Sequence, residues 1–276
     1  MHWQTTRFRI DLSRPRVMGI VNVTPDSFSD GGRHAGAAAA LAHCERLVEE
    51  GADVLDIGGE STRPGSTTPA AAEEMARVLP VIEGALRLGV PVSVDTSEPA
   101  VMQAALALGI DIVNDVRALR RPGALACLAG HKAAGVCLMH MRGEPETMQA
   151  QTDYADVVAD VGDFLDHRAA EVMAAGVAAE RIVLDPGIGF AKQPGHNLAL
   201  LRRQRELVAR LGRPLLVGWS RKGTLGLLTG RGVGDRLAAS VAAALVAVQH
   251  GAAIVRVHDV AATVDALKVW QAACSD

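Results

Sequence analysis

Eight short, strongly apolar runs recur along the chain, and a longer Ala/Leu-rich segment separates each run from the next. The runs are VMGIV from Val17, ADVLDIG from Ala52, VPVSVD from Val90, DIVND from Asp111, GVCLMH from Gly135, RIVLDPG from Arg181, PLLVGWS from Pro214 and AAIVRVHD from Ala252. Continuous apolar runs are typical of parallel strands that are covered on both faces. Many of the intervening segments have a helical pattern and end in a glycine suited to a helix C-terminus, namely Gly51, Gly89, Gly109, Gly176, Gly212 and Gly251. The alternation therefore predicts an α/β fold with a parallel sheet.

Eight strand–helix units in 276 residues fit a (β/α)8 TIM barrel, which typically needs roughly 250 residues. A doubly wound open sheet shares the same alternation and is the alternative. We favour the barrel because the number of units matches it. The segment FRIDL near the N-terminus predicts a short extra strand or hairpin outside the barrel. No proline- or serine-rich linker interrupts the units, so we predict a single domain over residues 1–276.

Composition narrows the classes of function. Hydrophobic residues make up 49% of the chain and charged residues 21%, which indicates a soluble globular protein. A net charge of −3 and an aromatic content of 3% argue against nucleic-acid binding, which needs a basic surface or stacking platforms. We find no signal-peptide pattern, no membrane-spanning apolar run and no paired spacing among the four cysteines. These features predict a cytoplasmic protein without a membrane or nucleic-acid partner.

Polar side chains occur where the apolar runs end. Six runs stay apolar until their last positions and then present Asn22, Asp56, Asp95, Asn114, Asp185, or Arg256 with His258. In a TIM barrel the C-terminal ends of the strands meet at the catalytic face. Polar groups buried there without partners would cost free energy, so we expect them to meet a ligand.

The types of these side chains describe that ligand. The acidic and amide groups of Asp95, Asn114 and Asp185 suit a flat heterocycle that carries several N–H donors. A second group suits an anion such as phosphate, because arginine matches phosphate oxygens with its planar fork. This group comprises Arg63, Lys222, Arg256 and His258, with hydroxyls from Ser61, Thr62 and Ser220. A small molecule that carries both a heterocycle and phosphate would satisfy both groups.

Six motifs of the chain resemble the dihydropteroate synthase family of folate biosynthesis. They are MGIVNVTPDSFSDGG, DIGGESTRPGS, VSVDT, DPGIGFAK, SRKG and IVRVHDV, and they follow the family's order from about Val17 to about Val264. The resemblance implies a transferase that joins 6-hydroxymethyl-7,8-dihydropterin diphosphate to 4-aminobenzoate and releases pyrophosphate. It also implies a sulfonamide target, a Mg²⁺ cofactor and a homodimer formed through the later helices.

The resemblance implies a role for each matched residue. The pterin would be bound by Asp95, Asn114, Asp185, Lys222 and Arg256, and the diphosphate by Ser61, Thr62, Arg63, Arg256 and His258. The 4-aminobenzoate pocket would comprise Phe28, Thr62, Pro64, Phe190 and Ser220, and Mg²⁺ would bind Asn22. The catalytic set would be Asn22, Arg63, Asp95, Lys222, Arg256 and His258. Diphosphate would leave first, and the neutral aniline nitrogen would need no strong general base.

Several of these residues also have a structural interpretation. Asn22 suits a turn, and Phe28 could pack its loop against the barrel. We expect Asp56 and Glu60 to pair with loop amides or Arg63, and His140 to be a hydrogen-bonded rim residue. Other functions remain open: a pterin-binding methyltransferase barrel, which would not need the STRPG and RVH motifs, or a catalytically silent pterin-binding paralogue.

Overall fold

The fold is a parallel barrel surrounded by helices and preceded by a hairpin. The computed structural model describes residues 1–24, 32–60 and 68–274. The hairpin consists of β1 (His2–Gln4) and β2 (Arg9–Asp11), which pair antiparallel. The barrel strands are β3 (Arg16–Asn22), β4 (Val54–Gly58), β5 (Val92–Asp95), β6 (Ile112–Asp115), β7 (Gly135–Met139), β8 (Ile182–Asp185), β9 (Leu216–Val217) and β10 (Ile254–Val257). Each predicted apolar run therefore contains one strand, and the predicted N-terminal hairpin is confirmed.

Helices follow the barrel strands. They are α1 (Gly32–Glu49), α2 (Ala71–Ala85), α3 (Pro99–Ala107), α4 (Ala124–Gly130), α5 (Val157–Ala174), α6 (Pro194–Arg202), α7 (Gln204–Leu211), α8 (Gly223–Thr229), α9 (Leu237–Gln249) and α10 (Val260–Cys274). The six glycines predicted at helix ends all have positive φ, from 56° at Gly212 to 97° at Gly176. A side chain would be strained in that conformation, so glycine is favoured at these positions, where the helical segments end.

One helical segment is divided where a single helix pattern was expected. The stretch from His196 to Gly212 forms α6 and α7, and the break is at Arg203. The Arg203 guanidinium bonds Asp156 before α5 and Glu206 in the first turn of α7. The Gln204 side chain bonds the carbonyl of Ala247 on α9 at 2.7 Å. The contacts with Asp156 and Ala247 thus tie the break to other elements of the fold, and the helical periodicity does not reveal them.

The eight barrel strands pair in parallel in the spatial order β8-β7-β6-β5-β4-β3-β10-β9. Among the described residues, one bridge between Leu184 and Leu215 joins β8 to β9 and closes the barrel. Most of the buried apolar side chains lie between the barrel and the helices. The closed order confirms the TIM barrel and excludes the doubly wound open sheet.

The hairpin packs against the N-terminal end of the barrel. Trp3, Ile10 and Leu12 form one buried cluster with inward-facing side chains from seven strands, namely Met18, Val54, Ile112, Cys137, Val183, Leu216 and Ile254. The Trp3 indole N–H donates to the carbonyl of Arg181 at 2.9 Å. The Arg7 guanidinium bonds the Asp111 carboxylate, with Nε to Oδ1 at 3.1 Å. The hairpin therefore covers this end of the barrel, and the polar strand ends lie at the other.

Candidate active site

Strand periodicity directs the polar strand ends into the barrel. Side chains at alternate positions of a strand share a face. The apolar residues of the hairpin cluster face inward, and the polar residues two or four positions later have the same parity: Asn22 after Met18, Asp56 after Val54, Asn114 after Ile112, Asp185 after Val183 and Arg256 after Ile254. The strand register places Asp95 opposite Asn114. The predicted residues therefore converge inside one mouth of the barrel, which we call the polar rim.

Arg256 lies between two carboxylates at the centre of the polar rim. Its Nε donates to Asp56 Oδ2 at 2.6 Å, and one terminal nitrogen donates to Asp95 Oδ2 at 2.7 Å. The Asn114 amide also donates to Asp56 Oδ2, at 3.0 Å. The Asp56 side chain is fully buried, whereas that of Arg256 remains 20% exposed toward the mouth. One cation thus serves two acids and still presents a face to a ligand.

Burial at this centre disfavours the charged form of Asp95. Burial and the neighbouring Asp56 carboxylate raise the pKa of Asp95, and the Arg256 guanidinium opposes that rise. Asp56 Oδ1 and the hydroxyl of Ser93, which face each other in the β4–β5 register, are buried without a hydrogen-bond partner in the described part of the chain. Unmatched polar atoms of this kind favour the binding of a polar ligand or water at the floor of the mouth.

Gly58 allows the strands to approach closely at this point. It lies opposite Asp95 in the β4–β5 register, and a Cβ on Gly58 would lie 3.3 Å from the Asp95 Cβ. On its other side Gly58 pairs with Asn22 of β3. The glycine therefore lets Asn22 and Asp95 occupy the two strands on either side of β4 without crowding.

Asp185 and Lys222 form a second part of the rim. The Asp185 carboxylate accepts the backbone N–H of Gly187 at 2.7 Å, and burial raises its pKa to about 6. Burial lowers the pKa of Lys222 to about 8, with Asp185 opposing that shift. The Lys222 ammonium lies 4.3 Å from the centre of the Phe190 ring, which is a cation–π contact. An acceptor, a donor and an aromatic face are thus available to one flat ligand.

His258 and Ser220 are joined by two contacts. The His258 backbone N–H donates to Ser220 Oγ at 3.1 Å, and the His258 Nδ1 lies 3.0 Å from the same oxygen. Burial, with Arg221 and Arg256 nearby, lowers the pKa of His258 to about 3. The Ser220 hydroxyl can donate its proton to Nδ1 while it accepts the backbone N–H, and we assign this tautomer, in which Nε2–H is a donor. His258 is therefore a neutral donor in the absence of an anion.

Glu60 joins the two ends of the 61–67 segment. Its carboxylate accepts from Thr68 Oγ1 at 3.2 Å and pairs with Arg117 at 3.1 Å. Arg117, which is 2% exposed, also bonds Glu144 after β7. The expected partners of Asp56 and Glu60 were loop amides or Arg63. Among the described residues the partners are Arg256 and Asn114 for Asp56, and Arg117 and Thr68 for Glu60. Arg63 lies outside those residues, so the pairing with it stays a prediction.

Five predicted site residues lie outside the described residues, and no geometry is assigned to them: Phe28, Ser61, Thr62, Arg63 and Pro64. Of the others, His140 is buried and hydrogen-bonded, as expected. Trp219 has the opposite parity to the rim and lies in the core outside the barrel. It therefore does not line the mouth.

The donor chemistry at Asn22 fits a hard cation. Asn22 offers an oxygen at the end of β3, and the described residues contain no group of three or more His, Cys, Asp and Glu side chains arranged for a metal. A cation bound here would take one protein oxygen and fill its shell with water and ligand oxygens. That arrangement is characteristic of Mg²⁺.

A groove elsewhere on the surface is not part of this site. It runs between α3 and α4 outside the barrel and is open to solvent. Its charged side chains Glu98 and Arg121 pair with each other at 2.9 Å. The groove therefore offers no group of unmatched polar side chains comparable to the rim.

Asp56 was expected to be structural, and its bonds to Arg256 and Asn114 fit that expectation, although these partners were not predicted. Sequence reasoning missed one residue of the site. Lys192 was not considered, although its ammonium is buried in the loop after Asp185. Its position in the motif DPGIGFAK was the available signal.

Comparisons with known proteins agree with this geometry. The model of the pterin binding enzyme family matches residues 18–258. Dihydropteroate synthase of Neisseria meningitidis serogroup B is 56% identical over 275 residues, which cover 98% of this chain and 96% of that protein. The Xanthomonas albilineans enzyme solved with 4-aminobenzoic acid shares 53% identity at a TM-score of 0.91, covering 97% of this chain and 96% of that chain. The Burkholderia cenocepacia enzyme solved with 7,8-dihydropteroate shares 51% identity at a TM-score of 0.90, covering 99% and 96%. No helix within the described ranges is long and apolar enough to cross a membrane.

Proposed function

Because the chain belongs to the pterin binding enzyme family, among its dihydropteroate synthases, we propose how its polar rim carries out that reaction. The enzyme condenses 6-hydroxymethyl-7,8-dihydropterin diphosphate with 4-aminobenzoate to give 7,8-dihydropteroate and pyrophosphate. The observation that carries the assignment is the convergence of acidic, amide and cationic side chains on one inward face of the barrel, around Arg256.

The pterin would bind at the floor of the rim. Asp185 would accept two N–H donors of the ring, because one carboxylate oxygen accepts from Gly187 and the other has no hydrogen-bond partner among the described residues. Lys222 would donate to the pterin carbonyl and ring nitrogen. Asn114 and Asp95 would complete the hydrogen bonds, and Arg256 would lie against the face of the ring.

The diphosphate would lie toward the mouth. Arg256 keeps an exposed face there, and His258 Nε2, which has no partner in the described part of the chain, would donate to a phosphate oxygen. Ser61, Thr62 and Arg63 would add hydroxyl and guanidinium donors. The 4-aminobenzoate would bind above the pterin, with Phe190 and Ser220 on one wall and Phe28, Thr62 and Pro64 on the other.

The reaction needs charge stabilisation more than proton transfer. The bond between the exocyclic carbon and the diphosphate oxygen breaks, and its electron pair leaves with pyrophosphate. Arg63, Arg256 and His258 would stabilise that charge, and the aniline nitrogen would attack the carbon and then lose a proton. Mg²⁺ held by Asn22 would, when bound, neutralise part of the diphosphate charge. Asp95 would remain paired with Arg256 and would orient it.

Aminobenzoate-dependent release of pyrophosphate from the pterin diphosphate tests the function directly. We expect release only when both substrates are present, with 7,8-dihydropteroate formed in equal amount. In the variant Arg63→Ala, turnover should fall far more than affinity for the pterin alcohol, which lacks the diphosphate. Pterin binding without pyrophosphate release would instead favour the silent paralogue, and methyl transfer from methyltetrahydrofolate would favour the methyltransferase.

The enzyme would act as a homodimer in the cytoplasm. Large apolar side chains are exposed on α8, α9 and the turn between them, and we call Leu227, Leu228, Val233 and Leu237 the α8–α9 patch. An exposed apolar cluster of this kind fits a protein interface. The four cysteines are free, which suits a reducing compartment.

Light scattering after size-exclusion chromatography tests the dimer. The double variant Leu227→Asp/Leu228→Asp should be monomeric. The control Leu108→Asp, which changes an exposed leucine beyond α3, should leave the dimer intact. A monomeric wild-type chain would contradict the proposal.

A further inference from the structure

Lys192 is a buried cation in the loop between β8 and α6 that no step of the reaction uses. The residue is 3% exposed, and its ammonium lies among four acceptors. The carbonyls of Gly187 and Phe190 are each 3.0 Å from Nζ, and His140 contributes Nδ1 at 2.9 Å and its carbonyl at 3.4 Å. No carboxylate belongs to this set, so Lys192 is held by backbone and imidazole dipoles.

The acceptors around Lys192 are themselves connected to the pterin-binding residues. Gly187, whose carbonyl accepts from Lys192, donates its N–H to Asp185 Oδ1 at 2.7 Å. Phe190, whose carbonyl also accepts from Lys192, places its ring 4.3 Å from the Lys222 ammonium. One buried cation therefore fixes two loop residues that orient Asp185 and Lys222.

The loop is a conformation that needs such a support. Gly187 has φ of +69°, and a Cβ there would lie 2.0 Å from the carbonyl oxygen of His140. Ala191, beside Lys192, has φ of +50°, which is uncommon for a residue other than glycine. Backbone in such regions persists only where surrounding contacts hold it. The contacts of Lys192 supply that hold.

We propose that Lys192 is a positioning residue for pterin recognition, whose buried ammonium holds the 186–193 loop so that Asp185 and Phe190 are correctly oriented. The proposal rests on the proposed function. It adds to it a residue that does not touch the substrate and acts through Gly187 and Phe190.

The ammonium also contributes to the charge balance at Asp185. The cations that face Asp185 are Lys222, Arg256 and Lys192, and the uncharged thiol of Cys137 faces it from β7. Burial lowers the pKa of Lys192 well below its usual value, and Asp185 opposes the shift. An ammonium can donate to three of these acceptors and has no lone pair, whereas the lone pair of a neutral amine would face one of them. The cage therefore favours the charged form.

Calorimetric titration with the pterin alcohol over a range of pH tests this role. In Lys192→Met, which keeps the volume and removes the charge, we expect binding at pH 7 to weaken on the order of tenfold. The pH below which affinity falls should rise by about one unit, because Asp185 loses a neighbouring cation and its pKa rises. One pKa unit is a tenfold change in the ionisation equilibrium of Asp185. Lys192→Arg should keep that pH unchanged, even if binding weakens through a poorer fit.

Arg181→Met is the matched control. Arg181 is a buried cation that donates to the carbonyls of Ala134 and His131, next to the other end of β8. Its loss should lower the thermal midpoint without changing pterin affinity or its pH dependence. Equal effects of both methionine variants, or an unchanged pH profile in Lys192→Met, would overturn the proposal. If Lys192→Met does not fold, a changed pH profile in Lys192→Arg would overturn it as well. Failure of the wild-type chain to bind pterin would instead reject the proposed function.

Discussion

Arg256 is the residue on which the charge balance of the rim depends. It is the partner of the fully buried Asp56 and of Asp95, at 2.6 and 2.7 Å. Removing one member of a buried ion pair is costly, because the other charge stays behind without compensation. We therefore expect Arg256 to contribute to the stability of the folded state as well as to the proposed substrate binding.

We predict that Arg256→Met lowers the free energy of unfolding by about 3–5 kcal/mol, since Asp56 and Asp95 lose their cation. Urea denaturation measures this loss. The double variant Arg256→Met/Asp56→Asn should recover part of it, because the buried negative charge is removed. The control Arg121→Met breaks a partly exposed pair with Glu98 and should cost less than about 1 kcal/mol. Equal costs for the two single variants would contradict the central role of Arg256.

Asp185 should impose a pH dependence on pterin binding. Its pKa is raised to about 6, and in the proposed complex the ionised form would accept two N–H donors of the pterin. Affinity should therefore fall about tenfold per unit as the pH decreases below that value, and it should be constant only up to a pH of about 8, where Lys222 begins to lose its proton. Asp185→Asn should weaken binding by about 2–4 kcal/mol, because an amide leaves a donor of the ring opposed to its own N–H. Calorimetry across the pH range checks both, and the variant should lose the acid dependence.

At the scale of elements, the N-terminal hairpin covers the end of the barrel opposite to the polar rim. Trp3 is fully buried in the cluster that it forms with seven strands, and its indole holds the carbonyl of Arg181. The apolar layer directly supports the polar layer above it, since Val54 precedes Asp56 and Ile254 precedes Arg256 on the same face. The hairpin thus contributes stability from the end opposite to the substrates.

Replacing Trp3 by alanine should therefore separate stability from catalysis. We expect Trp3→Ala to lower the free energy of unfolding by about 3–5 kcal/mol, as is usual for truncating a buried aromatic side chain. The Michaelis constants of both substrates should stay within twofold of the wild-type values at a temperature where the variant is folded. Steady-state kinetics and urea denaturation check the two parts. A large rise in either Michaelis constant would mean that the packing of the hairpin affects the polar rim.

Periodicity was sufficient to predict the strands and the rim, because parity and strand direction are local properties of the sequence. It did not reveal α4 and α8 as separate helices, since each has only seven residues. It also missed the partners of Asp56, because Arg256 is two hundred positions away and either of two acids could have been its neighbour. Contacts such as that of Lys192 with Gly187 depend on loop conformation, which side-chain pattern does not specify.

At the scale of the whole molecule, neighbouring strands of the barrel differ in how many residues they pair. Seven strand pairs are continuous ladders or pair over at least two residues, whereas β8 and β9 meet in the described chain through the single bridge of Leu184 and Leu215. β9 itself contains only two residues. The wall of the barrel is thus least reinforced between these two strands.

The contact between β8 and β9 lies between two of the proposed pterin contacts. Asp185 ends β8, and Lys222 follows β9. A substrate bound to both residues would therefore link the two strands where the barrel has the fewest hydrogen bonds. Bound pterin should therefore slow hydrogen–deuterium exchange of the amides from Leu215 to Val217 more than that of the amides in β4. Bound substrate would thus stabilise the closed barrel in addition to undergoing the reaction.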